Sequence, residues 1–435
     1  MKRALPLCFL LLGCCVFYAQ PAGAQFWKRL FGREEKRSVR KPANHPPAVD
    51  KKTSIAPPKK RGAEPSRLPP TLRKPRYRVD VLAPLYLGEL VNGGKLVYKS
   101  HLPDKVLPGL SFYQGIQLAA DTLSGQGYHI DVYLHDITDP KENVDALLKG
   151  NKLDTADLIV GAVSAQQVGP LAALAKKRNI NFISALTPVD GGVRGNFYFS
   201  LIQPTLQRHC EALRAAVRKM VHPTTNLLMY CRNNVAVDMQ CFRYLTKDSA
   251  FPYTRVLVNT PLPTEKLRNF FDSNVTNVIV MPIVDGSYAT QLLEQLGKSF
   301  PAYRFEVYGM PSWKGLPVVH KEGSVPNVGI TIPSAFYFDP TNSAGKGFSD
   351  AFNEKYGGRP AELAYRGYEI MYWYAYLLQR YGTIFNDHYA DNGVAPFTRF
   401  DMKLVRDSKD DTPLYYENQH VYLYRYQGGS FSIEQ

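Results

Sequence analysis

The sequence predicts an α/β chain folded as two doubly wound parallel-sheet lobes behind a processed leader and a basic tether. Three observations carry this reading. From about residue 77 short apolar runs alternate with amphipathic helical stretches, the alternation occurs as two successive series, and the excess positive charge is confined to the first 78 residues. A length of 435 residues exceeds what one hydrophobic core usually accommodates, so more than one domain is expected.

At the start, Lys2-Arg3 precedes the apolar run ALPLCFLLLGCCVFYA, too short for a permanent bilayer span, and Ala22-Gly23-Ala24 offers a small-x-small cleavage site before Gln25. Residues 1–24 are therefore expected to be a signal peptide. A competing reading takes LLGC, residues 11–14, as a lipoprotein box with Cys14 as the lipidated residue. Both readings place the mature chain in the periplasm or cell envelope. Residues 25–78, rich in proline and lacking apolar periodicity, read as a disordered tether. At its start FWKRLF sets Phe26, Trp27, Leu30 and Phe31 on one side of a turn with cations opposite, as a membrane-surface foothold would. Residues 26–78 hold 17 Lys or Arg against 4 Asp or Glu, whereas from residue 79 the two balance at 34 each. The net charge of +15 thus belongs to a tail whose expected partner is anionic lipid or cell-wall polymer. A nucleic-acid-binding domain would carry its basic patch on the fold, so no nucleic acid is expected.

The first series follows in order. RVDVLAPLYL is a strand, GLSFYQGIQLAADTLSGQG a helix ended by glycine, HIDVYLHDI a strand and KENVDALLKGN a helix. ADLIVGAV, AQQVGPLAALAKKR and NINFISAL continue as strand, helix and strand. TLQRHCEALRAAVRKMV opens the second series, whose strands are TNLLMYCRN, YTRVLVNT, NVIVMPIV and RFEVYGM, with VDMQCFRYLTKD, TEKLRNFFDSN and YATQLLEQLGKSF as helices between them. NVGITIPSAFYFDP has Pro333 in its middle and is expected to cross between domains. Two helices follow, and FTRFDMKLV, HVYLYRYQ and GSFSIEQ close the chain as antiparallel strands. The stripe YEIMYWYAYLLQRY repeats at helical spacing and reads as core. Ligands of doubly wound sheets sit beyond the carboxyl ends of the strands, where Asp136, Ser164, Thr187, Arg232, Asp285 and Ser312 fall.

Several stretches resemble the type I periplasmic binding proteins, with the branched-chain amino-acid receptors as the nearest pattern. FYQGIQLAADTL with Tyr113-x-Gly115, HDITDPKENVDALL, LIVGAVSAQQVGPLAALAKKRNINFISAL and FNEKYGGRPAELAYRGYE carry the likeness, in order, across residues 79–435. The resemblance implies two lobes joined by three crossovers near Pro204, near Pro333 and before Phe400. The lobes would comprise 79–203 plus 333–399 and 204–332 plus 400–435. It also implies a cleft that closes on a small polar ligand, amino-acid-like or related, for delivery to an ABC-type importer and its inner-membrane permease.

In such receptors hydroxyls after the third and fourth strands, with nearby backbone N–H groups, hold the ligand carboxylate. Here the pair reads Ser164-Ala165, so Ser164 is also read as the cap of the following helix, while Thr187, next to Leu186, keeps the second hydroxyl. The family's acidic residue after the RFEVYGM strand is replaced by Ser312 and Trp313, and Asp285 is the substitute acceptor for an ammonium group, with Arg232 after a neighbouring strand. Tyr86, Tyr288 and Trp313 are the candidate cleft aromatics, with packing at the lobe edges as the alternative. Asp136 and Asp139 in DITDP read as turn formers.

Catalysis is not expected. No nucleophile–base set, HExxH, dinucleotide fingerprint or phosphate loop is present, no cofactor is called for, and His209, His320 and His388 suit surface or cap roles. Three of six cysteines lie in the leader; Cys210, Cys231 and Cys241 form no metal-type spacing, and either Cys231 pairs with Cys241 or all three are buried thiols. A rival to the transport receptor is an envelope regulator that uses the same fold to bind a cell-wall enzyme or peptidoglycan, a role the basic tether suits.

Overall fold

The structure is a computed structural model and describes residues 68–434 except 99–100, 223, 248–251 and 392–394. The signal peptide, the Cys14 alternative, the foothold and the tether as far as residue 67 lie outside the described residues.

Two seven-stranded sheets form the two lobes. The first contains β1 (Tyr77–Ala83), β4 (Ile130–Asp136), β5 (Leu158–Gly161), β6 (Asn181–Ser184), β7 (Phe199–Leu201), β13 (Met402–Arg406) and β14 (Pro413–Asn418), in the order β13-β14-β7-β6-β5-β1-β4. The second contains β8 (Asn226–Arg232), β9 (Thr254–Val258), β10 (Thr276–Val280), β11 (Arg304–Tyr308), β12 (Val328–Ser334), β15 (Tyr422–Gln427) and β16 (Ser430–Glu434), in the order β16-β15-β12-β11-β10-β8-β9. Both are parallel except at one edge, where β13 is antiparallel to β14, β15 to β12 and β16 to β15. A small hairpin, β2 (Val91–Asn92) with β3 (Lys95–Leu96), follows the short helix α1 (Leu87–Leu90). The parallel strands are short and apolar because helices cover both faces, as their sequence form requires.

The chain crosses between lobes at 202–205, after Ser334, and at 419–421. Each crossing leaves the carboxyl end of a parallel-running strand, β7, β12 or β14, so the carboxyl edges of the two sheets share the hinge. The third crossing corrects the expectation. The resemblance implies it before Phe400, yet β14 pairs with β7 through Tyr416 and Glu417, and buried Phe400 stacks on Trp373 in the first lobe. Residues 400–418 therefore belong to the first lobe, not the second.

A second correction concerns the tether. Residues 68–76 lie along the first lobe as a strap. Thr71 Oγ1 donates to the Tyr381 carbonyl at 2.8 Å, the Leu72 and Thr383 segments exchange bonds of 3.2 and 3.0 Å, and the Lys74 ammonium reaches Asp157 at 2.6 Å. These partners lie by the amino ends of β1 and β5, opposite the hinge.

The first lobe is held by two long helices, α2 (Leu107–Gly125) and α11 (Glu362–Tyr381). They touch backbone to backbone. A Cβ on Gly115 would lie 1.9 Å from the Ala364 oxygen, and one on Gly367 would lie 2.1 Å from the Phe112 oxygen. The Tyr113-x-Gly115 spacing thus has a packing cause. Gly115→Ala is expected to lower stability by about 1–3 kcal/mol through overpacking, read as a shifted urea midpoint at unchanged slope. An unchanged midpoint would mean the helices have room to part. The aromatic stripe of α11 is buried from Tyr368 to Tyr374, as expected of core.

Candidate ligand-binding cleft

On the first lobe, the Asp136 carboxylate at the end of β4 organises the loop that follows β1. Its Oδ1 accepts from Leu85 N–H at 3.0 Å and Thr138 Oγ1 at 2.6 Å, and its Oδ2 accepts from Leu87 N–H at 2.8 Å. This turn-forming role matches the reading of DITDP and fixes Tyr86 in the left-handed region at φ 56°. The Tyr86 ring lies 4.9 Å from the Lys105 ammonium, itself paired with Glu89. Ser164 opens α4 (Ala165–Arg178), and its own N–H donates to Gln167 Oε1 at 2.9 Å in a capping box. Ser164 is exposed, whereas Ala165, Leu186 and Thr187 are half-buried at the carboxyl ends of β5 and β6.

On the second lobe the structure gathers three of the expected residues. Arg232, at the end of β8, donates to Asp238 at 2.6 Å and to Asp285 at 3.0 Å, and its guanidinium lies 5.0 Å from the Tyr288 ring centre. Asp285 caps α8 (Gly286–Ser299), accepting from the N–H groups of Ser287 at 2.9 Å and Tyr288 at 3.2 Å. Those backbone donors, foremost Tyr288 N–H, together with Arg232 hold its carboxyl below the usual range. Tyr288 shares a 3.0 Å hydrogen bond with Tyr230, and burial raises both phenols. Asp238 is fully buried and was not singled out from sequence. Arg232 ends a strand and Asp238 lies in the helix that follows, so no single period links the two in the sequence.

Ser312 is exposed and donates to the Val284 carbonyl at 2.8 Å. Trp313 is a correction. It has no exposed surface, its indole N–H donates to the Ile283 carbonyl at 2.7 Å, and its ring packs on Gly309, where a Cβ would lie 2.1 Å away. It belongs to the core of the second lobe rather than the cleft wall. His209 is likewise buried, not a surface histidine; burial, then the charges of Arg208 and Arg366, lower its pKa to about 3. Cys210, Cys231 and Cys241 are buried free thiols.

Between the lobes lie groups that sequence reasoning missed. The Thr205 N–H donates to Glu417 at 2.8 Å and Arg208 to the Gln419 carbonyl at 2.9 Å, tying the first crossing to the third. Glu369 on α11 accepts from Thr398 N–H at 2.9 Å, and Thr398 in turn bonds Tyr337 of the second crossing. Lys314, on the 3-10 turn Pro311–Gly315, pairs with Glu362 across the lobes at 3.4 Å. A hollow of about 720 Å³ beside the hinge is bounded by Arg208, Glu211 and Tyr244 on one lobe and by Lys403 and Asp407 on the other. Among the described residues no group of His, Cys, Asp and Glu has the make-up of a metal site.

Two α/β lobes, three crossovers and facing carboxyl edges define the type I periplasmic binding protein fold, and this chain has it. It is similar to an ABC transporter substrate-binding protein from Desulfitobacterium hafniense in complex with Leu (15% identity, 82% of this chain and 100% of that one, TM-score 0.54). It is also similar to a branched-chain amino acid ABC transporter periplasmic ligand-binding protein from Burkholderia xenovorans (15%, 83% and 95%, TM-score 0.54). A third neighbour is a branched-chain amino acid transporter substrate-binding protein from Streptococcus pneumoniae in complex with isoleucine (14%, 82% and 99%, TM-score 0.50). No protein-family model and no curated protein matches the sequence.

Proposed function

We propose that this chain is a non-catalytic receptor of the cell envelope that closes its lobes on a small polar solute and presents it to an ABC-type importer. The observation that carries the reading is the polar cluster Arg232–Asp285–Tyr288 at the carboxyl edge of the second sheet, the same edge that carries Ser164 and Thr187 in the first. The named roles of the structural neighbours support it. Asp285 has an exposed carboxylate edge for a ligand donor, and Thr187, Ser164 and the backbone at Ala165 and Leu186, beyond the carboxyl ends of the first lobe's strands, are its expected counterparts. Tyr86, after β1, and Tyr288, after β10, are the expected aromatic neighbours of the ligand.

Native mass spectrometry of the full mature chain, purified without denaturation, is expected to show a stoichiometric small-molecule adduct. Asp285→Asn and Thr187→Val should each weaken its retention about tenfold, the worth of a hydrogen bond to a charged group. A clean apo mass with no thermal shift across amino acids and peptides would instead favour the envelope regulator. The basic tail supports that second reading, since a freely diffusing transport receptor has no use for it.

A further inference from the structure

The hinge end of the cleft holds two cations and one carboxylate. Lys314 of the second lobe and Arg366 of the first both pair with Glu362, the first residue of α11. The Arg366 Nη1 donates to Gln203 of the first crossing at 3.4 Å, and the guanidinium lies 4.1 Å from the centre of the Phe336 ring in the second. The Lys314 ammonium lies 4.7 Å from the Tyr424 ring centre. The next titratable neighbours add no counter-charge. His209 is neutral, and Glu369, one turn beyond Arg366, is fully buried and holds its proton to about 8. Burial, reinforced by the like charge of Arg366, pulls the Lys314 pKa down against the attraction of Glu362. The Arg366 Nε–H is buried with no acceptor.

We infer that this cluster is an anion subsite, and that the carboxylate group of the ligand is the second counter-ion, seated between Lys314 and Arg366 so that one group bridges both lobes. This rests on the receptor reading and names its substrate class as small organic acids. The subsite differs from the hydroxyl-and-backbone site that the family resemblance implies at Ser164 and Thr187. Its energetic logic is a charge count. Closing the lobes takes Lys314 and Arg366 further from water, which is costly for two cations sharing one carboxylate and favourable once a second carboxylate is present. A neutral solute leaves the imbalance in place, so the same groups select acids over their amides.

The test uses the full mature chain, titrated calorimetrically with matched acid and amide probes: L-leucine and L-leucinamide, succinate and succinamide, phenylacetate and phenylacetamide. Native mass spectrometry identifies any co-purifying molecule. Wild type is expected to bind at least one acid, or retain one, at least about tenfold more tightly than its amide. Lys314→Gln and Arg366→Gln should remove that preference, with unfolding midpoints confirming that each variant is folded. Glu362→Gln should act in the opposite direction, strengthening acid binding about threefold or more by freeing the cations, which a folding defect would not produce. Equal binding of acid and amide, a neutral co-purified ligand, or acid binding indifferent to all three substitutions overturns the subsite and leaves the receptor standing. If wild type neither retains a molecule nor binds any probe, the receptor reading falls and the subsite with it.

Discussion

Trp313→Ala is expected to destabilise the second lobe by about 3–5 kcal/mol, as large-to-small changes at fully buried aromatics do. The side chain has no exposed surface, so its removal leaves a cavity beside Gly309 as well as an unpaired Ile283 carbonyl. The loop 281–285 loses its tie to the turn carrying Lys314, and both flank the carboxyl edge of the sheet. Urea unfolding followed separately by probes in each lobe should show the second lobe melting first, with the first near its wild-type midpoint. Phenylalanine at the same position keeps most of the volume but not the indole N–H, and should recover more than half of the loss. If alanine changes ligand affinity while the unfolding curve stays put, Trp313 lines the cleft after all and its placement here is wrong.

The second large effect is a gain. Glu369→Gln is expected to stabilise the protein at neutral pH and to flatten part of its pH profile. Burial, outweighing the bonds from Thr398, raises the Glu369 carboxyl to about 8. An unfolded glutamate gives up its proton near 4.3. Between those values the folded state binds the extra proton, so this group makes stability fall as pH rises through the window and level off above it. At pH 7 the cost is on the order of 3 kcal/mol. Glutamine keeps the geometry. Its carbonyl accepts the Thr398 N–H, its amide donates to Thr398 Oγ1, and that hydroxyl still donates to the Tyr337 carbonyl at 3.3 Å. Chemical denaturation of both proteins from pH 4 to 9 should therefore diverge upward with pH in favour of the variant. Parallel profiles would show that Glu369 ionises in the folded chain.

How much of this was legible beforehand depends on the range of the interaction. The alternation of strands and helices is local, and both sheets appear where the apolar runs lie. Ser164 could be read as a cap because Gln167 stands three residues on, the spacing that closes a capping box. The close contact of α2 and α11 left a glycine in each helix, though nothing in the sequence says that Gly115 faces Ala364. The third crossing lies elsewhere than the resemblance implies, since the pattern of FTRFDMKLV says that a strand forms but not which sheet it joins. Trp313 was misread for a related reason. A residue just after a strand can turn outward to a ligand or inward to a carbonyl, and only the fold of the 281–285 loop decides. Lys314 and Glu362 are 48 residues apart on different lobes, so their pairing had no sequence signature, although Glu362 and Arg366 stand at the helical i, i+4 spacing.

The strap from Leu68 to Arg76 decides how the molecule bears load. The bonds of Thr71, Leu72, Lys74 and Arg76 go to the first lobe, at the end of the sheet away from the hinge. Tension on the chain ahead of Leu68 is therefore taken up along the strand axes of a single lobe and applies no torque about the three crossings. The three crossings leave the opposite end of that lobe, so a load applied through the strap and a rotation about the crossings would act on separate parts of the molecule.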